Sequence, residues 1–551
     1  MQNDMTLQNE MSLPGCNLLW RVVMFFSVVC VFFAGLYWIA AHPYSDSWDE
    51  AYYVNQACRD YQALKSMDLR LFANTLIFGN RDRPFAYRLI ALPFSIAGGP
   101  GVISLRVSSF VCFWITVWFV YLIGKRVFKT HTGLVASLIV LLSPEAIASS
   151  VRFYTESSLY LALAAFLYFL LRSIQELRPS KLSMLGLGIS LGLGFLTKIS
   201  FIVMVAPALM LLFVFKIRIR PRKQTFLFFL SSLLIGLFIA FPWWFKNYAF
   251  AFGHMEAARD FAPFCLAQPG LSRLMLFCFY FIKCVVGFFS LTACLLVIGG
   301  GLLNRNSGSA VLTLHQKQFA GICLFCSLPF LIIQLSTLNH AMRLASPAII
   351  PLALLVSVFG IRNLWKHTLQ FNLILGTLCL LQSIFILSSI RYKNEPAKTL
   401  WDTSVIRALP LEEQWDWNKV YQVIHSRGIA NPKIGLVGAA RPLKPSNVEY
   451  PWIRRQEKVG VGRVIIPENV DFDSSDFSYY FADYNVIITL ADYPYNGIER
   501  LGKNNALNAT LIESLCRRNK NYEIVFISVG RYKETSLAIC IKKDSIHSNK
   551  D

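Results

Sequence analysis

The chain has 551 residues, 55% of them hydrophobic, 14% aromatic and 15% charged, with a mean hydropathy of +0.47. That balance excludes a soluble globular protein and indicates an α-helical polytopic membrane protein. The net charge of +21 does not mark a nucleic-acid partner, because in the apolar part the basic residues fall in short clusters between hydrophobic runs, as membrane topology requires.

Residues 1–17 are polar and carry Asp4 and Glu10, unlike the basic start of a signal peptide. They read as a cytoplasmic N-terminal segment, and the apolar run from Leu18 to Ala41 as a retained membrane helix. A first outer loop, 42–106, follows, with amphipathic pieces around Tyr61–Phe78 and Arg88–Ile96 suited to a membrane surface. Further apolar runs lie near 107–123, 133–150, 157–171, 182–197, 199–215, 225–245, 273–303, 319–337, 343–360 and 370–390. With the first, they make about eleven spans, each near the roughly 20 residues that a bilayer requires.

Alternate loops set the orientation. Lys125/Arg126/Lys129, Arg172/Arg178/Lys181, Lys216/Arg218/Arg220/Arg222/Lys223, Arg305/Lys317 and Arg362/Lys366 fall on one side. The positive-inside rule makes that side cytoplasmic and the N-terminus internal. Asp49, Glu50, Glu156 and everything after residue 390 are then outside. The tail, 391–551, alternates short apolar runs (Lys433–Ala440, Val461–Pro467, Asn485–Leu490, Tyr522–Val529, Ser536–Lys542) with helical stretches at Trp417–Ser426 and Ala506–Arg517. It reads as an extracytoplasmic α/β domain. Asn508-Ala509-Thr510 in it is a glycosylation sequon, meaningful only in a glycosylating host.

Most of the thirteen cysteines lie inside apolar runs and count as small hydrophobes; Cys323 and Cys326 belong to the core rather than to a metal site. Cys58, Cys265, Cys516 and Cys540 are the ones expected at the surface, and they imply no disulfide framework.

Acid is scarce in the membrane part. Between Asp82 and Asp260 the carboxylates are Glu145, Glu156, Glu176 and Glu256, and between Asp260 and Glu395 there is none. Against that background Asp49-Glu50 stands directly after the first span. Such a pair is either the start of a solvated loop or a functional site, and the pair by itself does not decide which. Arg152-Phe153-Tyr154-Thr155-Glu156 puts an acid, an arginine and a tyrosine at the outer end of the fourth span; an interfacial anchor with a local ion pair is the bland alternative. Lys198 stands where two spans meet; a snorkelling lysine is a fair alternative, yet this one lies on the side that the topology rule leaves poor in positive charge. Arg83-Pro84, Arg106, and Asn339-His340 through Arg343 add basic groups on the same face. Outside cations beside a bilayer suit an anionic lipid headgroup, and a carboxylate among them suits a general base.

In order and spacing these motifs resemble the GT-C membrane glycosyltransferases, in the family 39-like branch of protein O-mannosyltransferases and lipid A aminoarabinose transferases. Asp49-Glu50-Ala51-Tyr52-Tyr53 resembles that branch's first-loop motif, and Arg83-Pro84 with Gly98–Arg106 its basic-proline segment. Arg152–Glu156 resembles its second-loop acid, Gly194-Phe195-Leu196-Thr197-Lys198 its Gly…Leu-Thr-Lys turn, and Arg343…Pro347…Pro351 its late arginine-proline pattern. Leu344 stands where tyrosine is usual, Arg83 replaces the lysine of the aminoarabinose enzymes, and Glu156 stands in place of aspartate.

The resemblance, which covers about residues 18–390, implies a transmembrane glycosyltransferase domain there. It implies an inverting enzyme that moves a hexose or pentose from a polyprenyl-phosphate donor to a lipid, glycan or protein acceptor, on the periplasmic face of a bacterial inner membrane. Asp49, Glu50 and Glu156 would be catalytic. Arg83, Arg106, Arg152, Tyr154, Lys198, His340 and Arg343 would bind substrate. No cofactor is implied with certainty, though an Asp-Glu pair could hold a divalent cation. The alternative is a lipid or sugar transporter or flippase without transferase chemistry; it fits less well, because the spans hold almost no ionisable residues near mid-membrane and no internal repeat is visible.

Overall fold

The structure is a computed structural model. It describes residues 14–43, 45, 48–127, 130–176, 180–219, 222–259, 271–303, 313–337, 339, 341–364, 369–391, 416–429, 431–437, 445–455, 457–463, 483–492, 521–528 and 536–546. The chain divides into two compact units. One holds residues 1–41, 73–91 and 106–406, and the other 42–72, 92–105 and 407–551.

The apolar runs between Leu18 and residue 390 fold as helices. The elements in chain order are α1 (Pro14–Ala41), α2 (Trp48–Lys65), α3 (Leu69–Phe78), α4 (Ala86–Gly98), α5 (Val102–Val127), α6 (Thr130–Leu141), α7 (Pro144–Ser150) and α8 (Thr155–Gln175). There follow α9 (Lys181–Phe195), α10 (Ser200–Ile219), α11 (Arg222–Arg259), α12 (Leu271–Tyr280), α13 (Phe288–Leu303), α14 (Leu314–Ser336), α15 (Met342–Ala345), α16 (Ile349–Leu364) and α17 (Leu369–Arg391). Among the described residues, five helices are long and apolar enough to cross a bilayer, or up to seven if two bent pairs each count as one span. The remaining apolar runs of the sequence appear as shorter apolar helices. The protein is an integral membrane protein.

The two bends have identifiable causes. Between α6 and α7 the axis turns by 65° at Ser143-Pro144, where proline cannot continue the ladder. Ser143 caps α7 and donates its hydroxyl to the Val285 carbonyl at 2.6 Å. The second bend, 98°, follows a π-helical turn at Phe281–Val286 and falls on Gly287, whose φ of 84° suits glycine.

Helix α9 crosses α11 with no room for a Cβ at Gly188, Gly192 or Gly236. A Cβ on Gly188 or Gly192 would lie 2.7–2.8 Å from Ile235 or Ile239, and one on Gly236 2.8 Å from Leu191. This is the small-residue packing by which helices associate in lipid, where the hydrophobic effect gives no drive between them. At the other end of α8, Glu176 accepts from Arg172, from the Ser180 amide and from the Ser183 hydroxyl, each at 2.9 Å, and so ties α8 to the start of α9.

The second unit contains a five-stranded mixed sheet in the order β2-β1-β3-β5-β4, from β1 (Lys433–Leu436), β2 (Gly460–Arg463), β3 (Val486–Asp492), β4 (Tyr522–Ser528) and β5 (Ser536–Lys542). Strand β1 pairs in parallel with β2 and β3, while β5 pairs antiparallel with β3 and β4. Helices α18 (Trp417–Ser426) and α19 (Pro445–Arg454) pack Val420, Tyr421, Ile424, Val448 and Trp452 into its core. The five expected strands and the first tail helix are there. The expected helix at 506–517 and the sequon lie outside the described residues.

The compact unit that holds the tail also includes residues 42–72 and 92–105 of the first loop. One expectation needs correction. Cys58 and Cys540, expected at the surface, are wholly buried. Cys58 faces the Pro100 carbonyl at 3.1 Å and Cys540 lies inside a central strand, so both pack as small apolar groups. Cys323 and Cys326 sit in the hydrophobic core of the first unit, as expected.

Candidate active site

The first unit holds seven of the expected residues. Tyr154 precedes α8 and Glu156 lies in its first turn, where a carboxylate is favoured by the exposed amides of the helix end. Glu156 is 1% exposed, and Lys198 donates to its Oε1 at 2.8 Å. A buried carboxylate needs such a partner, because an isolated charge there would cost several kcal/mol, on the order of the Born penalty left after relaxation. The Arg343 guanidinium lies over the Tyr154 ring at 5.0 Å and acts electrostatically on both Glu156 and Lys198. Arg83 also acts on Lys198. Arg152 and Arg106 both lie against the buried Trp38 ring, at 5.2 and 4.7 Å.

Local structure explains why these groups meet. The chain after α9 turns through Leu196, Thr197 and Lys198, whose Thr197 and Lys198 amides donate back to the Gly194 carbonyl. Gly194 has no space for a side chain, because a Cβ would lie 2.2–2.4 Å from the Phe201 ring. The Ala86 amide then donates to the Leu196 carbonyl at 2.7 Å, which joins the Arg83-Pro84 segment to the Lys198 turn. Helix α11 grips both. Trp243 donates to the Asn80 carbonyl, Trp244 to the Phe195 carbonyl and Asn247 to the Ile77 carbonyl, at 3.3, 2.9 and 2.8 Å. Farther along α11, the His254 Nε2 accepts from Arg83 Nε at 3.3 Å. One long helix thus positions two cations that are 115 residues apart in sequence.

Sequence reasoning missed three members of this neighbourhood. Glu145, in the first turn of α7, accepts from the Ser149 hydroxyl at 3.3 Å and is coupled electrostatically to Arg152, Arg343 and Glu156. Tyr160, one turn into α8, is hydrogen-bonded to Ser346 beyond Arg343. The only signal for Glu145 was an acid inside an otherwise apolar run, and Tyr160 and Ser346 gave none. Taken together, the cluster holds two acids, Glu145 and Glu156, and four bases, Arg83, Arg152, Lys198 and Arg343, so it retains positive charge for an anion.

Asp49 and Glu50 open α2 in the second unit, as the acids of its first turn; Glu50 is fully buried and Asp49 half-buried. His340 lies outside the described residues. Among the described residues, no group of three or more His, Cys, Asp or Glu is placed to hold a metal ion.

Residues 82–245 match the family described as dolichyl-phosphate-mannose-protein mannosyltransferase. That stretch contains Arg83, Arg106, Arg152, Tyr154, Glu156 and Lys198. No curated protein sequence matches the chain. ArnT from Cupriavidus metallidurans bound to undecaprenyl phosphate aligns over 94% of this chain and 97% of its own, at 12% identity and a TM-score of 0.57. Its apo state aligns over the same shares at 12% identity and 0.55. The archaeal oligosaccharyltransferase AglB from Archaeoglobus fulgidus, in complex with an inhibitory peptide and a dolichol-phosphate, aligns over 84% of this chain and 69% of its own, at 12% identity and 0.50. The chain therefore has the fold of ArnT, and its residues 82–245 are similar to the dolichyl-phosphate-mannose-protein mannosyltransferase family.

Proposed function

We propose that the chain is an inverting glycosyltransferase that uses a polyprenyl-phosphate sugar on the outer face of a membrane, a bacterial inner membrane with the site on the periplasmic side. The observation that carries this reading is the cluster of Lys198, Arg343, Arg83 and Arg152 around the enclosed carboxylate Glu156. Its surplus positive charge suits a lipid-linked phosphate, and ArnT, which shares the fold, is a structure with undecaprenyl phosphate bound.

In the reaction, an acceptor hydroxyl or amine attacks the anomeric carbon from the face opposite the phosphate. The bond from that carbon to the phosphate oxygen breaks, its electron pair leaves with the polyprenyl phosphate, and the anomeric centre inverts. Asp49 takes the proton of the attacking group, a role drawn from the first-loop motif. Glu50 is buried, which suits it to holding Asp49 or the acceptor. Lys198, Arg343 and Arg83 stabilise the charge that grows on the leaving phosphate; loss of one such fixed donor costs roughly 10²–10³-fold in rate. Glu156 and Glu145 hold the cations in place. Arg106, Arg152, Tyr154 and His340 complete the substrate-binding assignment. The acceptor is a lipid, glycan or protein.

The test is single-turnover transfer by the protein in nanodiscs, with a panel of radiolabelled polyprenyl-phosphate sugars and with Asp49→Asn beside wild type. Transfer or donor hydrolysis in wild type, reduced about 10²–10⁴-fold in the variant with donor binding kept, is the expected result. Equal rates would remove Asp49 from the mechanism. A wild type that binds no donor would overturn the transferase reading in favour of lipid flipping.

A further inference from the structure

Helix α19 has two working faces. Val448 and Trp452, four residues apart, are buried in the core of the sheet with Val420 and Tyr421. Glu449 and Ile453, also four apart and one position on, face α2. The Glu449 carboxylate lies 3.9 Å from the Arg59 guanidinium, and the Ile453 carbonyl accepts from the Gln62 side chain. Arg59 and Gln62 are three residues apart and therefore share one face of α2.

A third segment closes the junction. Cys58, in the same turn as Arg59, donates its thiol to the Pro100 carbonyl at 3.1 Å. Burial pushes that thiol up to about 12, so it remains protonated and keeps its donor. The adjoining Gly101 sits beside Tyr450 of α19, with the hydroxyl 3.9 Å from where a Cβ would stand. Helix α2, the turn at residues 99–101 and α19 thus hold one another in the second unit.

We infer that α19 is an adapter through which the C-terminal α/β domain sets the position of α2, and with it the Asp49-Glu50 pair in the first turn. Asp49 and Arg59 are about 15 Å apart along the axis at 1.5 Å per residue, and an intact helix carries displacement over that length as a rigid rod. Arg59, Gln62, Glu449 and Ile453 are positioning residues, not catalytic ones. The Arg59–Glu449 pair is half-exposed on the arginine side, so it sets register more than strength. The buried face of α19 and the Gln62 bond carry most of the constraint. The consequence for catalysis rests on the proposed role of Asp49; the mechanical link between the domain and α2 does not.

The test uses full-length protein in nanodiscs carrying Gln62→Leu, Arg59→Glu, Glu449→Arg, or the last two together. Amide hydrogen exchange across Val54–Gln62 is read beside the kcat and KM of sugar transfer. Gln62→Leu should speed exchange about 3–10-fold, as the loss of one net hydrogen bond implies, and should lower kcat by a similar factor with the donor KM unchanged. Each single charge reversal should show a smaller effect, and the swapped pair should recover it, which general destabilisation would not produce. Wild-type exchange rates in all variants would overturn the link. Faster exchange with an unchanged kcat would overturn the positioning role. If wild type transfers no sugar, the function proposed above fails, and exchange still decides whether α19 holds α2.

Discussion

Lys198 and Glu156, 42 residues apart in sequence, meet at 2.8 Å with the carboxylate enclosed. Lys198 is a quarter exposed, so the acid depends on the pair more than the lysine does. Removal of the cation alone takes the ion-pair partner from a buried acid that Arg343 also stabilises, and should cost up to about 3–5 kcal/mol. Lys198→Met should therefore lower thermal stability far more than Lys198→Met combined with Glu156→Gln. Melting temperatures in detergent for both variants check this. Equal losses would mean that the pair contributes no coupling.

Arg343 over Tyr154 makes a second, separable prediction. Arg343→Met should lower kcat about 10²–10³-fold if the guanidinium stabilises the leaving phosphate. Tyr154→Leu keeps the cation and removes only the ring beneath it, so a loss of about 2–30-fold is expected from the energy of such a contact. Single-turnover rates at saturating donor separate the two. A larger loss in Tyr154→Leu than in Arg343→Met would reverse the assignment.

The turn before Lys198 depends on space. In Gly194→Ala the new methyl would meet the Phe201 ring at 2.2–2.4 Å, and overpacking of this kind costs about 1–3 kcal/mol. Stability and donor turnover should fall together, because the same turn carries Lys198. Phe201→Leu in the Gly194→Ala background should recover part of both, as measured by melting temperature and transfer rate.

Glu176 supplies a pH dependence. Burial alone would raise its carboxyl, but the Ser180 amide, the Ser183 hydroxyl and Arg172 outweigh burial and hold it below the ordinary carboxylate range. The folded value is depressed, so its stabilisation is complete above the unfolded value of about 4.3 and is lost as pH falls through the lower folded value. Glu176→Gln should reduce stability by about 1 kcal/mol near neutrality, in line with a cap and a partly exposed ion pair. It should also flatten the fall in melting temperature on acidification between about pH 5 and 3. A variant as acid-sensitive as wild type would remove Glu176 from the α8–α9 connection.

Much of the molecule was written locally. Runs of apolar residues specify membrane helices wherever they occur, because unpaired backbone groups cannot stay in lipid; every expected run from Leu18 to 390 is helical. Short β-branched runs between polar stretches placed five strands in the tail, and the last of them, Ser536–Lys542, has the expected bounds. The Arg83, Glu156, Lys198 and Arg343 motifs stood out because charge is rare in such a chain.

Tertiary structure alone decided which of these meet. The Ser143 hydroxyl finds the Val285 carbonyl 142 residues away, and Asn247 finds Ile77 across 170. No periodicity encodes those pairings, since they depend on which helices pack side by side. For the same reason Glu145 looked like a stray acid until Arg152 and Arg343 surrounded it. The first-loop segments 42–72 and 92–105 gave no sign of a partner in the tail until α19 met α2. The sequence determined the helices, the strands and the chemical types of the candidate groups, because those follow from nearest neighbours along the chain. Their assembly into a cation cluster and a three-way junction came from packing between residues far apart in sequence.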